Sequence, residues 1–302
     1  MPNRASKRIG KKVKCTGAGD KPYWAYVPLN MPPGDLRLEL FQENLEKASQ
    51  AIGRLDGIAT VLPDTQLFLY MYVRKEAVLS SQIEGTQSSL SDLLLFESDE
   101  SPGVPLNDVQ EVSNYVSAMN HGLMRLRKGL PISLRLIKEL HDVLISGTRG
   151  GTKSPGNFRK SQNWIGGSKP ENAIFIPPPP NEVIDCMNEL EKYIHNREDQ
   201  LPLLVRTALI HHQFETIHPF LDGNGRVGRL LITLLLCSEE VLTEPILYLS
   251  LYFKRHRKEY YAQLQYVREK GTWENWINFF LEGVVGEINN HDLIDISLNE
   301  VI

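Results

Sequence analysis

The stretch His218-Pro219-Phe220-Leu221-Asp222-Gly223-Asn224-Gly225-Arg226-Val227-Gly228-Arg229 decides how this chain is read. It gathers a titratable base, a carboxylate, an amide framed by glycines and two guanidiniums in one short segment. Upstream, Leu203 to Ile217 reads as a helix. Downstream, the apolar run predicts a second helix over Val227 to Cys237.

Each residue type there has a chemical use. Gly223 and Gly225 let successive backbone N–H groups turn inward, and a helix N-terminus adds partial positive charge. Gly223, Asn224 and Gly225 therefore read as a nest for phosphate oxygens. Arg226 and Arg229 are spaced for one helix face on the first turn, where guanidiniums fork onto phosphate; Val227 and Gly228 lie between them in the same nucleotide-binding segment. Asp222 suits Mg²⁺, a hard cation held by one or two carboxylates together with substrate phosphates. His218, with an ordinary pKa of about 6.5, accepts a proton near neutral pH. Pro219 and Phe220 read as a turn and an apolar anchor. The sum is equipment for holding a polyphosphate and removing a proton beside it.

Three other readings compete for these residues. Gly223-x-Gly225-x-x-Gly228 has the dinucleotide-fingerprint spacing, but that motif needs a preceding strand, and the preceding segment is helical. Glu215-Thr216-Ile217-His218 is the back half of a zinc-protease motif whose first ligand position holds Phe214. A plain turn between core helices explains the glycines and leaves the histidine, the aspartate and both arginines unexplained.

Residues 218–229 resemble the signature of the Fic family, HPFx[D/E]GNGRxxR, at every specified position. The resemblance implies a mainly α fold, a Fic-type helical bundle with a small β-hairpin flap. It also implies transfer of AMP from ATP to a hydroxyl on a target protein. On that resemblance His218 is the general base, Asp222 holds Mg²⁺, Gly223, Asn224 and Gly225 form the anion hole, and Arg226 and Arg229 hold the triphosphate, Arg229 at its γ end.

A second segment adds regulation. Leu67 to Leu79 reads as a helix that runs into Ser80-Ser81-Gln82-Ile83-Glu84-Gly85. Ser80 and Glu84 are spaced to share a helical face, and Gly85 suits the position just past a helix end. Alone this is a capping serine and a solvated glutamate. Beside the signature it resembles the family's inhibitory pattern [S/T]xxxE[G/N], which implies a bidentate Glu84–Arg229 pair in the γ-phosphate position. The same glutamate leaves a second direction open, in which it positions water to remove AMP from a modified protein. A reading of another class, a nucleotide sensor or interaction module without catalysis, needs the anion nest but not His218.

Composition sets bounds. Of 302 residues, 41% are hydrophobic, ample for a core. The apolar run Leu230 to Cys237 is too short to cross a membrane, and no signal peptide is recognised. Cys15, Cys186 and Cys237 are too few and too scattered for a disulfide framework or a zinc site, which suits a reducing, cytoplasmic setting. A net charge of −4 argues against nucleic acid as the general partner. The charge is uneven, since Arg4, Lys7, Arg8, Lys11, Lys12 and Lys14 meet no acid before Asp20; the stretch reads as a solvated tail, with weak nucleic-acid contact as the alternative.

The chain divides into a basic tail over 1–21, expected to be disordered, an N-terminal region over 22–105 carrying the inhibitory helix, a catalytic core over 106–285 and a tail over 286–302. Tyr23 to Val27 is a short strand candidate. Helices are expected over Leu36 to Leu55 and over 107–127, 133–146 and 182–197, with an acidic linker from Glu97 to Pro105. Asn163 to Gly167 and Asn172 to Ile176 suggest a hairpin, ended by Pro177 to Pro180, which is expected not to be helical. The resemblance makes it a target-docking flap bearing Trp164, Ile165, Ile174 and Phe175, on which an extended segment adds as a strand. Arg159, just before it, is open between a structural and a substrate role. By the same resemblance Tyr261 and Leu264 face adenine, and His256 stands where relatives often have Asn. Read from the residues alone, Tyr261, Trp273 and Trp276 are aromatics at helical spacing and read as core. The resemblance spans roughly Leu36 to Gly283, beyond which many members continue into a winged-helix module that the remaining residues are too few to form. Expected partners are ATP and a target protein, with self-modification and a homodimer as further expectations.

Overall fold

The computed structural model describes residues 8–16, 21–59 and 65–289. Its first element is an antiparallel pair, β1 (Lys11–Thr16) with β2 (Pro22–Val27), in the register Lys12 opposite Tyr26 and Lys14 opposite Trp24. Eleven helices follow among the described residues: α1 (Gln42–Ala59), α2 (Thr65–Ile83), α3 (Leu90–Glu97), α4 (Leu106–Arg127), α5 (Leu134–Ile145), α6 (Pro180–Ile194), α7 (Leu203–Ile217), α8 (Asn224–Ser238), α9 (Leu249–Arg255), α10 (Arg257–Lys270) and α11 (Trp273–Asn289). The fold is mainly α, as the sequence implies.

The centre is the antiparallel hairpin of α7 and α8. Nearly every residue of both helices is buried, polar ones included, so the two helices are enclosed on all sides at the centre of the bundle. Around it pack α2, α4, α5, α6, α10 and α11. Trp276 on α11 is fully buried and donates its indole N–H to Ala208 O on α7 at 2.8 Å, so a large ring enters the core with its polar atom satisfied.

Helix ends follow local chemistry. Ser89 and Asp92 form a reciprocal capping box at α3, and the Ser133 hydroxyl accepts from Leu136 N at α5. At the end of α2, Gly85 takes φ +105°, its N–H donates to Gln82 O, and Thr86 N–H donates to Ser81 O. This pair of bonds is a Schellman closure, with glycine in the position anticipated for it. The helix therefore runs one turn beyond Leu79 and delivers Glu84 just past its last turn.

Four expectations are corrected. Residues 8–16 are not a disordered tail: β1 is paired with β2, and Arg8 is held by Glu274 at 2.5 Å and by the Trp273 indole, which donates to Arg8 O at 2.8 Å. The first long helix begins at Gln42 rather than Leu36, after a short 3₁₀ turn at Leu38–Leu40. The flap is a loop with one bridge, Ile165 to Phe175, because Gly166 and Gly167 both take φ near +70° and turn the chain out of register. Pro180 is helical after all: it is the first residue of α6, where a missing N–H costs nothing.

Candidate functional site

The loop between α7 and α8 is fixed from below. His218 ends α7 in the left-handed region, φ 49°, and its N–H donates to Phe214 O. Phe220 is fully buried and stacks on His141 with ring centroids 3.7 Å apart. The Asn224 side chain closes the loop in both directions, accepting from Phe220 N at 2.8 Å and donating to Phe220 O at 2.9 Å. Arg159 resolves as a positioning residue. It is buried, and its guanidinium donates to His218 O at 2.9 Å and to Pro178 O at 2.5 Å, tying the loop to the strand-like segment before α6.

The nest is narrower than the sequence suggests. Gly223, at φ 75°, spends its N–H on Asp222 Oδ1 at 2.6 Å, and Val227 N–H donates to Gly223 O. The N–H groups of Asn224, Gly225 and Arg226, the first three of α8, have no acceptor among the described residues and remain to receive an anion. Val227 points into the core. Gly228 faces Glu215, whose Oε1 a Cβ there would approach to 2.4 Å, and so lies outside the nest.

The two arginines differ in depth. Arg226 is on the first turn of α8, its Nη1 donating to Glu111 Oε2 on α4 at 3.1 Å, with Asp222 Oδ1 at 3.7 Å from Nη2. Arg229 is one turn deeper, so the two do not share the first turn. Its side chain is 2% exposed, its Nε donates to Ser80 Oγ at 2.8 Å, and its Nη2 donates to Ser80 O at 3.0 Å and to Glu84 Oε1 at 2.7 Å. The contact with Glu84 is through one nitrogen, not bidentate, because Nε is taken by Ser80. The Glu84 carboxylate lies over the start of α8: a Cβ on Gly225 would come within 2.2 Å of its Oε1 and 2.9 Å of Arg229 Nη1.

His218, Gly225, Arg229 and Glu84 line one cavity of about 520 Å³. Its floor is His218, Gly225, Arg229, Glu84 and Glu215. One wall is the flap with Trp164, Ile165, Ile174 and Phe175, and the other is α10 with Tyr261, Leu264 and Arg268; Tyr261, 41% exposed on the cavity, is not core, whereas Trp273 and Trp276 are. His256 is not part of it; its ring rests on Tyr252 at 4.4 Å in an outer depression that shares Arg257 and Tyr261 with the cavity. Asp222 is half-exposed at the loop, with one oxygen bonded to its own loop backbone.

Charge in the cavity is balanced by position. Burial pushes the half-buried His218 down to about 4, helped by Arg268 and Arg159 and opposed by Glu84, so its imidazole is neutral at pH 7. Burial raises Glu84, but Arg229 outweighs it and holds the carboxylate below its usual range. Burial raises Glu215 to about 7, with Arg229 opposing. Arg268 is lowered to about 10 by burial; it donates to Thr216 Oγ1 at 3.0 Å and lies 3.9 Å over the Phe175 ring.

Glu111, Glu215 and Arg268 were not found by sequence reasoning. Arg268 had a signal, since Tyr261, Leu264 and Arg268 repeat on one helix face. Glu111 had none, as its partner is far along the chain. In the sequence Glu215 reads only as part of the incomplete zinc-protease motif. No group of three or more His, Cys, Asp or Glu suited to a metal cage occurs among the described residues.

Comparison with known proteins bears on the same segments. The family model described as Fic/DOC family N-terminal matches residues 42–124, and that described as Fic/DOC family matches 131–236. A probable protein adenylyltransferase of Aquifex aeolicus is 27% identical over 71% of this chain and 60% of its own length. The protein adenylyltransferase Fic of Aedes aegypti is 29% identical over 80% of this chain and 46% of its own. The chain thus spans about half the length of the curated relatives it matches. In fold, it is similar to a Fic family protein from Desulfovibrio desulfuricans, with a TM-score of 0.72 at 19% identity, covering 88% of this chain and 78% of that one. Fic-1 of C. elegans (residues 134–508) gives a TM-score of 0.60 at 22% identity, covering 83% and 72%.

Proposed function

Because this chain belongs to the Fic/DOC family, we propose that it is a protein adenylyltransferase that moves AMP from ATP to a Ser, Thr or Tyr hydroxyl of a target protein, restrained by its own Glu84. The observation that carries the reading is the shared cavity: a neutral histidine, a buried arginine and the start of α8 at Gly225 line one space, flanked by an apolar flap.

ATP enters with its phosphates on the N–H groups of Asn224, Gly225 and Arg226 and on Arg229. Positioning and charge neutralisation carry such reactions. His218 takes the proton of the acceptor hydroxyl as its oxygen bonds to the α-phosphorus, and pyrophosphate leaves. Arg159 and Asn163, bonded to the His218 carbonyl, keep the base in place. Asp222 fits Mg²⁺, since its carboxylate is half-exposed and one oxygen makes no hydrogen bond among the described residues. The cation supplies charge neutralisation of the phosphates. Tyr261 and Leu264 offer an apolar wall for the base.

Glu84 stands where an anion would. A charge-assisted contact of this kind contributes about 1.5–3 kcal/mol. That is a bias of about tenfold to hundredfold against a productive triphosphate pose. A second reading, removal of AMP, draws on the same residue: Glu84 lines the cavity with His218, and its other carboxylate oxygen makes no hydrogen bond among the described residues. The three cysteines are free thiols, in keeping with a cytoplasmic setting, and among the described residues no helix is long and apolar enough to cross a membrane.

The test is intact mass after incubating the full chain with ATP and Mg²⁺. Self-modification by one AMP, greater in Glu84→Gly and absent in His218→Ala, is the expected result. With an added AMP-modified protein, loss of AMP that depends on Glu84 would favour the reverse reaction.

A further inference from the structure

We propose that the β1–β2 hairpin forms the outer wall of the target-docking groove and selects target segments that carry acidic residues beside the acceptor hydroxyl. The proposal rests on the AMP-transfer reading and deepens it.

A second cavity of about 660 Å³ lies beside the first, and the two share Ile174, Phe175, Gln265 and Arg268 as a common wall. Its far side is built by Lys12, Trp24 and Tyr26. The register sets Lys12 opposite Tyr26 and Lys14 opposite Trp24, so these four side chains stand on one face of the hairpin. The opposite face carries Ala25 and Val27, both buried against the body. The wall is anchored: Tyr26 N–H donates to Ile176 O at 2.9 Å, and Arg8 fastens the start of the hairpin to Glu274.

Two properties define the occupant. Trp24 is 58% exposed and Ile174 71% exposed, leaving large apolar side chains open along one channel. The charge is also local. The chain as a whole is at −4, yet Lys12 and Lys14 stand together on this face, and neither has an ion-pair partner among the described residues. On the facing helix the cavity meets one acid, Glu269. A segment whose hydroxyl reaches His218 past the flap continues across Ile174 onto this wall. Acidic groups in that continuation meet uncompensated lysines, and an apolar residue meets Trp24. Complementary charge of this kind gives partner selection and faster encounter.

The test uses the full-length chain and fluorescence anisotropy with labelled short peptides. Two peptides share a central Thr and differ only in glutamate or lysine flanks; a labelled oligo-dT of similar length is the third probe. The glutamate peptide is expected to bind at least about tenfold more tightly than the lysine peptide, a preference that electrostatic complementarity readily supplies. Lys12→Glu with Lys14→Glu should reverse that preference, whereas Lys12→Arg with Lys14→Arg should retain it. Equal binding of the two peptides, binding of neither, an unchanged preference in the charge-reversed variant, or tighter binding of oligo-dT would each overturn the proposal. Failure of the parent reading looks different. The peptide preference would persist while no AMP is ever transferred in the intact-mass experiment.

Discussion

Oε1 of Glu84 lies 2.7 Å from Nη2 of Arg229, joining the end of α2 to the second turn of α8 across 145 residues of chain. The contact places a carboxylate over the free N–H groups at the start of α8. Removing it should clear the anion site without opening the fold, because Arg229 keeps both bonds to Ser80. Glu84→Gly is expected to raise the rate of AMP transfer by about tenfold to hundredfold. The Glu84 side chain is 37% exposed, so the stability cost is expected at about 1 kcal/mol or less. Single-turnover rates on folded protein check this, and a wild-type rate in the variant would end the inhibitory assignment.

Gly225 separates binding from stability. Its place in α8 is ordinary helix, so alanine there should gain about 0.5–1 kcal/mol of backbone entropy. The added methyl would nevertheless meet Glu84 Oε1 and Arg229 Nη1 in the space that an anion needs. Gly225→Ala in the Glu84→Gly background, where the glutamate clash is gone and the Arg229 contact offsets the backbone gain, is expected to keep its melting temperature while losing transfer by at least about a hundredfold, as when a donor to developing charge is blocked. Full activity in that double variant would show that phosphate does not approach this backbone.

Much of the site was legible because its parts are contiguous. The boundaries of α7 follow from an apolar run closed by a loop, and Gly85 follows from the stereochemistry of a helix end. The Glu84–Arg229 pair was legible only through a family pattern, since nothing local in α2 distinguishes Glu84 from a solvated glutamate. The N-terminal hairpin was hidden by its lysines. Lys12 and Lys14 on the outer face masked the inward alternation of Val13 and Cys15, so a strand read as a basic tail. Glu111 was illegible for another reason: burial of Arg226 against α4 is a tertiary fact with no signature in either segment.

His218 must be neutral to accept a proton, so transfer should rise with pH through its pKa and then level. In the unliganded chain that pKa is held down to about 4, first by burial and then by Arg268 and Arg159. A bound triphosphate brings negative charge, which favours the imidazolium and raises the pKa. The acid limb of kcat should therefore lie at higher pH than that of kcat/KM for ATP. Arg268→Gln removes a repelling charge and should move the kcat/KM limb upward. Profiles collected in the Glu84→Gly background check both shifts; coincident limbs that ignore Arg268 would remove His218 as the titrating base.

Glu76 gives a prediction about stability rather than rate. It is buried on α2, its carboxyl bonded by the Ser250 hydroxyl and approached by Tyr115 Oη at 3.5 Å. Burial raises its pKa to about 8, even though Ser250 and Arg229 act in the opposite direction. The folded chain therefore holds a proton that the unfolded chain, with an ordinary glutamate, releases above about pH 4.3. Such a group contributes stability that is complete below the unfolded pKa and is lost as pH rises to the folded one, by about 1.4 kcal/mol per pH unit. Glu215, raised to about 7, acts with the same sign over a shorter range. His211 and His212, both held neutral by burial, act with the opposite sign, but only below their ordinary pKa of about 6.5. Between about pH 6.5 and 8 the histidines are silent and Glu76 dominates. Glu76→Gln carries no titrating proton there, so its unfolding free energy should fall by about 2 kcal/mol less than wild type across that window. Denaturant melts at the two pH values measure the difference. Parallel curves would mean that Glu76 ionises in the fold as it does in water.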